Sequence, residues 1–284
     1  MTYQHIKVKQ IAGALGAEVR GVDLSQDIGN AVFSEIQQAL HANLVIFFRD
    51  QYLTPDEHKN FGRRFGTLNI HPQYVPLEEH PEVLPVLKEP DETKNIGDVW
   101  HTDVSFLEQP SMGSILYAHE VPKAGGDTMF ANQYLAYESL SDGMKEMLDG
   151  MTAVHSDRVL SNPTNATERN EGRSTRIREN AMTDEEIANE HPVIRTHVGT
   201  DRKCLYVNRP FTVQFAGMTE TESQPLLEFL YAHATRPEFT CRFRWEKHSV
   251  AFWDNRCTQH YALNDYHGHR RTMHRVTVNG ERPV

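Results

Sequence analysis

Cysteine is scarce in this chain. The three present among 284 residues, Cys204, Cys241 and Cys257, are widely spaced and form no Cys-x-x-Cys pair, which excludes a disulfide framework and a zinc knuckle and leaves reduced thiols. Long apolar runs are missing too. None approaches the roughly 18 residues of a membrane span, and Met1–Lys7 has no signal-like apolar core, so no membrane partner is expected and the cytoplasm is the expected location. Basic residues are in deficit, 29 Lys and Arg against 39 Asp and Glu for a net charge of −10. A phosphate backbone needs a basic face, so nucleic acid is not an expected partner. A small anion is still compatible, because its site needs only one or two well-aimed arginines. The length suits a single domain over residues 1–284 with ample core, shows no internal repeat, and is compatible with a homo-oligomer.

What is present is a β-rich pattern at both ends. Residues Ile6–Asp23 alternate short apolar runs with Gly13, Gly16 and Gly21, which predicts strands joined by tight turns. Phe33, Ile36 and Leu40 fall at helical spacing, and Leu44–Phe48 follows as a continuous apolar run fit for a buried strand. Thr54-Pro55-Asp56-Glu57 is a capping box that starts a helix, with Gly66 ending it. Residues 75–98 read as an irregular connection with one short strand at Val83–Leu87; Ile115–Tyr117 reads as a strand, Ala124–Asp127 as a turn, and the stretch to Leu148 as helical. A second capping box at Thr219–Glu222 opens a helix that Pro225 should kink or delay. Phe239–Trp245, Val250–Trp253 and Arg271–Val278 suit strands. Residues 157–192, crowded with Asn, Thr, Arg and Glu, read as a lid or insertion. The sum is an antiparallel β core with helices packed outside it.

The chemistry gathers in Trp100–Phe106, where an imidazole (His101) and a carboxylate (Asp103) stand two apart in a strand-forming run and so face one side. Such a pair suits a divalent metal such as iron, with His260 as the candidate third ligand. The triplet alone is weak: with 16 histidines about one is expected by chance, and His155-Ser156-Asp157 repeats the spacing. Taken singly, His101 and Asp103 are an ordinary surface pair, His260 is a core or surface histidine, and Gly125–Thr128 is a hairpin turn. Arg271 and Arg275 share strand parity, which makes them either a solvated face in ion pairs or an anion site. Asn264–Tyr266 would close a hairpin between the His260 strand and theirs.

The joint pattern is more specific than its parts. His101-x-Asp103, Gly-Gly-Asp-Thr128, Trp253-Asp254-Asn255-x-x-Thr-Gln-His260, Arg271 and Arg275, with Gly16–Leu24, Phe61–Gly66 and His71–Tyr74, closely resembles the taurine dioxygenase family of iron(II)/2-oxoglutarate oxygenases. The resemblance implies a mainly β fold, a double-stranded β-helix or cupin-like jelly roll with peripheral helices. It implies iron(II) on His101, Asp103 and His260, with His155 and Asp157 dismissed as ligands. It further implies 2-oxoglutarate held by Arg271 and Thr128, O2 as co-reactant, and release of succinate and CO2 as a small organic anion is hydroxylated. The substrate-binding positions fall on His71, Tyr74, Val104, Phe211 and Arg275. Two departures bear on the substrate: Gly97 stands where the taurine enzyme has Asn, and Asp157 where it has Phe. Taurine or a related sulfonate is the expected substrate; the competing expectation is an aryloxyalkanoate in the space left at Gly97, and Asp157 would suit an amine. A non-catalytic or zinc-binding cupin-like protein is the alternative from a different class, against which Arg271 and Thr128 stand.

Overall fold

The computed structural model describes residues 2–161, 170–178 and 186–284. Strands β1 (Lys7–Gln10) and β2 (Ala17–Arg20) form the expected antiparallel hairpin. Helix α1 (Asn30–Asn43) leads into β3 (Val45–Phe48), and α2 (Pro55–Arg63) starts at the Thr54 capping box, whose two reciprocal hydrogen bonds are both made. Next come β4 (Val83–Lys88), β5 (Gly113–Glu120), β6 (Thr128–Asn132), α3 (Gln133–Glu138), α4 (Asp142–Leu148), β7 (Thr152–Ser156) and α5 (Arg158–Ser161). The short strands β8 (Ala188–Pro192), β9 (Ile194–Thr196), β10 (Lys203–Leu205) and β11 (Thr212–Phe215) precede α6 (Glu220–Ala234). Pro225 lies inside α6 without delaying it, because the capping box fixes the start. Strands β12 (Thr240–Phe243), β13 (Val250–Asp254), β14 (Thr258–Ala262) and β15 (Arg271–Val278) complete the chain.

Two sheets make the jelly roll. The larger runs β1-β2-β3-β13-β5-β15-β4 and the smaller β12-β6-β14. Between them Val45, Phe47, Leu116, Ala251, Trp253 and Met273 of the large sheet meet Phe130, Cys241 and Phe243 of the small one. The alternate residues Ile46, Phe48, Ile115, Tyr117, Val250 and Phe252 face outward and are covered by Ile36, Leu40 and Phe61 of α1 and α2. Burial on both faces is why Leu44–Phe48 reads as an unbroken apolar run.

The hairpin expected between β14 and β15 does not form. The two strands belong to opposite sheets, so the loop through Asn264–Tyr266 is a crossing that sets His260 on one wall and the arginines of β15 on the other. Of the expected lid, residues 162–169 and 179–185 lie outside the described residues. Its described flanks are tied down, Ala188–Pro192 pairing with β7 and Ile177 bridging to Tyr74.

Candidate active site

His101 and Asp103 do not share a strand. His101 makes an isolated antiparallel bridge to His260 of β14, with His101 N donating to His260 O at 3.1 Å and His260 N to His101 O at 2.8 Å. The chain then turns, and Val104 adopts φ +45°, a costly conformation for a β-branched residue. The turn, not strand parity, swings the Asp103 carboxylate back toward the imidazoles. Asp103 Oδ1 lies 3.8 Å from Nε2 of both His101 and His260, and their rings are 4.0 Å apart. The second His-x-Asp triplet is not assembled in this way. His155 is bonded to Ser105 Oγ and Asp157 to Gln73, and neither joins a metal-holding group among the described residues.

Each of the three side chains is held in place. His101 Nδ1 donates to Val99 O at 2.7 Å, which leaves the Nε2 lone pair toward Asp103. Asp103 Oδ2 accepts from Ser114 Oγ at 2.8 Å and, more loosely, Asn255 Nδ2 at 3.5 Å, leaving Oδ1 facing the histidines. His260 is oriented by packing, its ring 4.7 Å from that of Trp253. Burial pushes both imidazoles below their ordinary pKa. Burial also pushes the Asp103 carboxyl up, but Arg275 and the two histidines outweigh it and hold the group well below the carboxylate range. Two neutral imidazoles and one ionised carboxylate, with Asp103 and His260 buried and His101 partly so, are the donor set that suits a non-haem iron(II) centre with open positions. Gly97 sits against this centre at φ +78°: a Cβ there would lie 3.0 Å from His101 Cε1.

The cations of β15 take separate places. Arg275 Nη1 reaches Asp103 Oδ1 at 2.9 Å and lines a cavity of about 170 Å³. Tyr74, Ile96, Val104, Phe106, Leu160 and Phe211 make most of its apolar wall, with His71, His101 and Asp103 also facing it. His71 is neutral, burial and then Arg275 holding its pKa down to about 3. Its Nδ1 accepts from the backbone N–H of Gln73 and Tyr74 at 3.2 and 3.3 Å, so Nε2 carries the proton and can donate to an anion. Arg271 is 3% exposed, and its Nε and Nη2 have no partner among the described residues, an arrangement that suits a ligand carboxylate. Gly126 makes room for it, since a Cβ there would meet Arg271 Cδ at 3.3 Å. Thr128 Oγ1 accepts from Trp245 Nε1 at 2.9 Å and keeps its own proton to donate.

Asp157 departs from expectation. It is 2% exposed but does not line the cavity, and its oxygens accept from Gln73 Nε2 and Ile187 N at 3.0 and 2.9 Å. An amine in the cavity therefore does not meet it. Ser114, Asn255, the Val99 carbonyl and Gln73 were not singled out from sequence. Asn255 and Gln73 carried a signal only as members of the Trp-Asp-Asn and His71–Tyr74 runs, with no role attached. A second buried cluster, His197, Asp254 and Cys257, also has metal-ligand spacing. There Asp254 is clamped by Arg256 at 2.8 and 2.7 Å, and His197 Nδ1 accepts from Gly199 N, so its polar groups are already matched.

The model of the taurine catabolism dioxygenase TauD, TfdA family matches residues 7–277. The chain belongs to that family. Among curated TauD/TfdA-type relatives it is 37% identical to an alpha-ketoglutarate-dependent sulfate ester dioxygenase of Pseudomonas putida, over 98% of this chain and 91% of that one. It is 34% identical to an alkylsulfatase of Acinetobacter baylyi, over 98% and 86%. Identity is 30% to an alpha-ketoglutarate-dependent 2,4-dichlorophenoxyacetate dioxygenase of Cupriavidus pinatubonensis, over 92% and 93%. A solved taurine dioxygenase from Burkholderia xenovorans superposes with a TM-score of 0.83 at 37% identity, covering 99% of this chain and 91% of that one. AAD-2 in complex with Mn(II) and N-oxalylglycine gives 0.78 at 27%, covering 100% and 99%.

Proposed function

We propose that this protein hydroxylates a small organosulfate or organosulfonate with an apolar tail, held by its anionic end at Arg275 and His71. The enzyme is a 2-oxoglutarate-dependent dioxygenase of the TauD/TfdA family. Iron(II), 2-oxoglutarate and O2, when bound, supply the oxidising power: the keto acid is split to succinate and CO2 and one oxygen atom enters a substrate C–H bond. In this reading His101, Asp103 and His260 would hold the iron. Val99 fixes the tautomer that leaves His101 Nε2 free, and Ser114 fixes the carboxylate. Arg271 and Thr128 would hold the distal carboxylate of 2-oxoglutarate by a charge-assisted pair and a hydrogen bond.

The observation that carries the reading is one apolar cavity with His101 and Asp103 of the His101–Asp103–His260 group on its wall, together with a cation and a neutral donor, Arg275 and His71. A charge pinned at Arg275 fixes which carbon lies beside the metal centre, so tail length selects the site of attack. Apart from Asp103, no acidic group lines the cavity among the described residues, so an ammonium finds no partner there. That favours alkyl sulfates and alkylsulfonates over taurine itself, as do the relatives named for sulfate esters and alkylsulfates. The test is succinate formation across alkyl sulfates, alkylsulfonates, aminosulfonates and aryloxyalkanoates, with each product identified. Coupled turnover should be strongest with the first two; turnover confined to aryloxyalkanoates or to uncharged compounds would reject the substrate reading.

A further inference from the structure

We propose that Asp157 is a positioning residue for the substrate-anion site, acting through Gln73 on His71. The proposal rests on the reading above that His71 and Arg275 receive the substrate's anionic end. His71–Tyr74 has no helix or strand of its own; among the described residues its one regular backbone link is the isolated bridge from Tyr74 to Ile177. The aim of the His71 donor is therefore set by local contacts. Nδ1 is held by the backbone N–H of Gln73 and Tyr74, so the direction of Nε2–H follows the position of Gln73.

Gln73 is 3% exposed, and its side chain makes a single hydrogen bond among the described residues, Nε2 to Asp157 Oδ2 at 3.0 Å, while Oε1 has no partner. Asp157 in turn is locked to the protein frame. Its N donates to Ile187 O at 3.0 Å and its Oδ1 accepts from Ile187 N at 2.9 Å, which extends the β7–β8 ladder one residue past Ser156 and Ala188. The Gln73 carbonyl accepts from Arg178 N at 2.7 Å, and Arg178 Nε donates to Tyr74 O at 2.8 Å. Gln73 is thus fastened by its backbone on one side and by Asp157 on the other. The carboxylate acts as the peg between the β7–β8 ladder and a segment that lies outside any helix or strand.

This role makes demands on Asp157 different from those of a substrate ligand. A peg needs an acceptor for Ile187 N–H and a partner for the Gln73 amide, not a charge. Asparagine supplies both, because its Oδ1 still accepts from Ile187 and the Gln73 amide can rotate to present its unpartnered Oε1 to the new N–H2. Leucine supplies neither. The test measures kcat and KM for hexyl sulfate, KM for 2-oxoglutarate and the thermal midpoint in wild type, Asp157→Asn, Asp157→Leu and Gln73→Leu. Asp157→Leu and Gln73→Leu should each raise the hexyl sulfate KM roughly tenfold or more, with kcat and the 2-oxoglutarate KM much less affected. Asp157→Asn should recover most of the loss. Equal impairment by Asn and Leu would mean that the charge itself is used and would overturn the proposal, as would a normal hexyl sulfate KM in either leucine variant. If Asp157→Leu fails to fold, Asp157→Asn with Gln73→Leu decides by the same comparison. Wild-type enzyme that turns over no organosulfate at all would remove the underlying substrate reading, and this proposal with it.

Discussion

Arg271 and Arg275 stand four apart on one strand face, yet their surroundings differ in a way that predicts different work for them. Arg275 already faces a carboxylate, Asp103, at 2.9 Å, and opens on the apolar cavity. Arg271 is buried with two nitrogens unpartnered among the described residues; burial pushes its pKa down against the weaker pull of Tyr266 and Asp127, and a ligand carboxylate would match the charge. Removing it should therefore cost ligand affinity with little of the usual loss in stability. Arg271→Ala is expected to weaken 2-oxoglutarate binding by about 2 to 5 kcal/mol, the range for truncating one side of a buried charge pair. Arg275→Ala should instead spare 2-oxoglutarate affinity and impair coupling to the organosulfate. Equilibrium binding of 2-oxoglutarate to both variants, measured without oxygen, checks the division; equal loss in the two would reject it.

At the scale of elements, local chemistry written in the sequence survives folding where it is self-contained. Both capping boxes are made, and α6 shows what one is worth: Thr219 is exposed, its cap closes only the helix end, and the packed side is formed by Leu227, Leu230 and Tyr231. Thr219→Ala should thus destabilise the protein by about 1 kcal/mol, read as a lower denaturation midpoint, with the hexyl sulfate KM unchanged. A changed KM would mean that α6 transmits to the pocket through the Tyr231 bond to Thr212 O, next to Phe211. Elements whose geometry is decided at a distance were not legible. His101 and Asp103 read as two positions on one strand, but no strand forms there: His101 makes a single bridge to His260, 159 positions away in β14, and the chain then turns. The β14–β15 hairpin failed for a related reason: a turn sequence specifies a reversal, not which sheet receives the returning strand. Asp157 was legible as a departure from the family pattern, but its partners Gln73 and Ile187 are set by the fold alone.

For the whole molecule, the many histidines matter most through those that the core holds neutral. His58 and His155 are 1% and 0% exposed, and burial, with smaller effects from neighbouring histidines, pushes each down to about 3. His58 Nε2 donates to Ile115 O at 3.1 Å while its Nδ1 has no partner among the described residues, so a second proton has nowhere favourable to sit. In the unfolded chain both regain the ordinary value of about 6.5. The folded pKa values lie below the unfolded ones, so between these limits the unfolded state binds more protons. The stability each neutral ring contributes is complete above about pH 6.5 and is lost as pH falls toward 3, at about 1.4 kcal/mol per pH unit for each group. The depressed carboxyls of Asp103 and Asp254 act in the same direction but only at lower pH, as the medium passes below the ordinary carboxylate range. Unfolding free energy from denaturant titrations should therefore be nearly flat above pH 7 and fall steeply between pH 6 and 4. His58→Gln keeps a donor for Ile115 but cannot titrate, so it should lower the slope in that window by about 1.4 kcal/mol per pH unit. An unchanged slope in the variant would show that His58 does not drive the acid sensitivity.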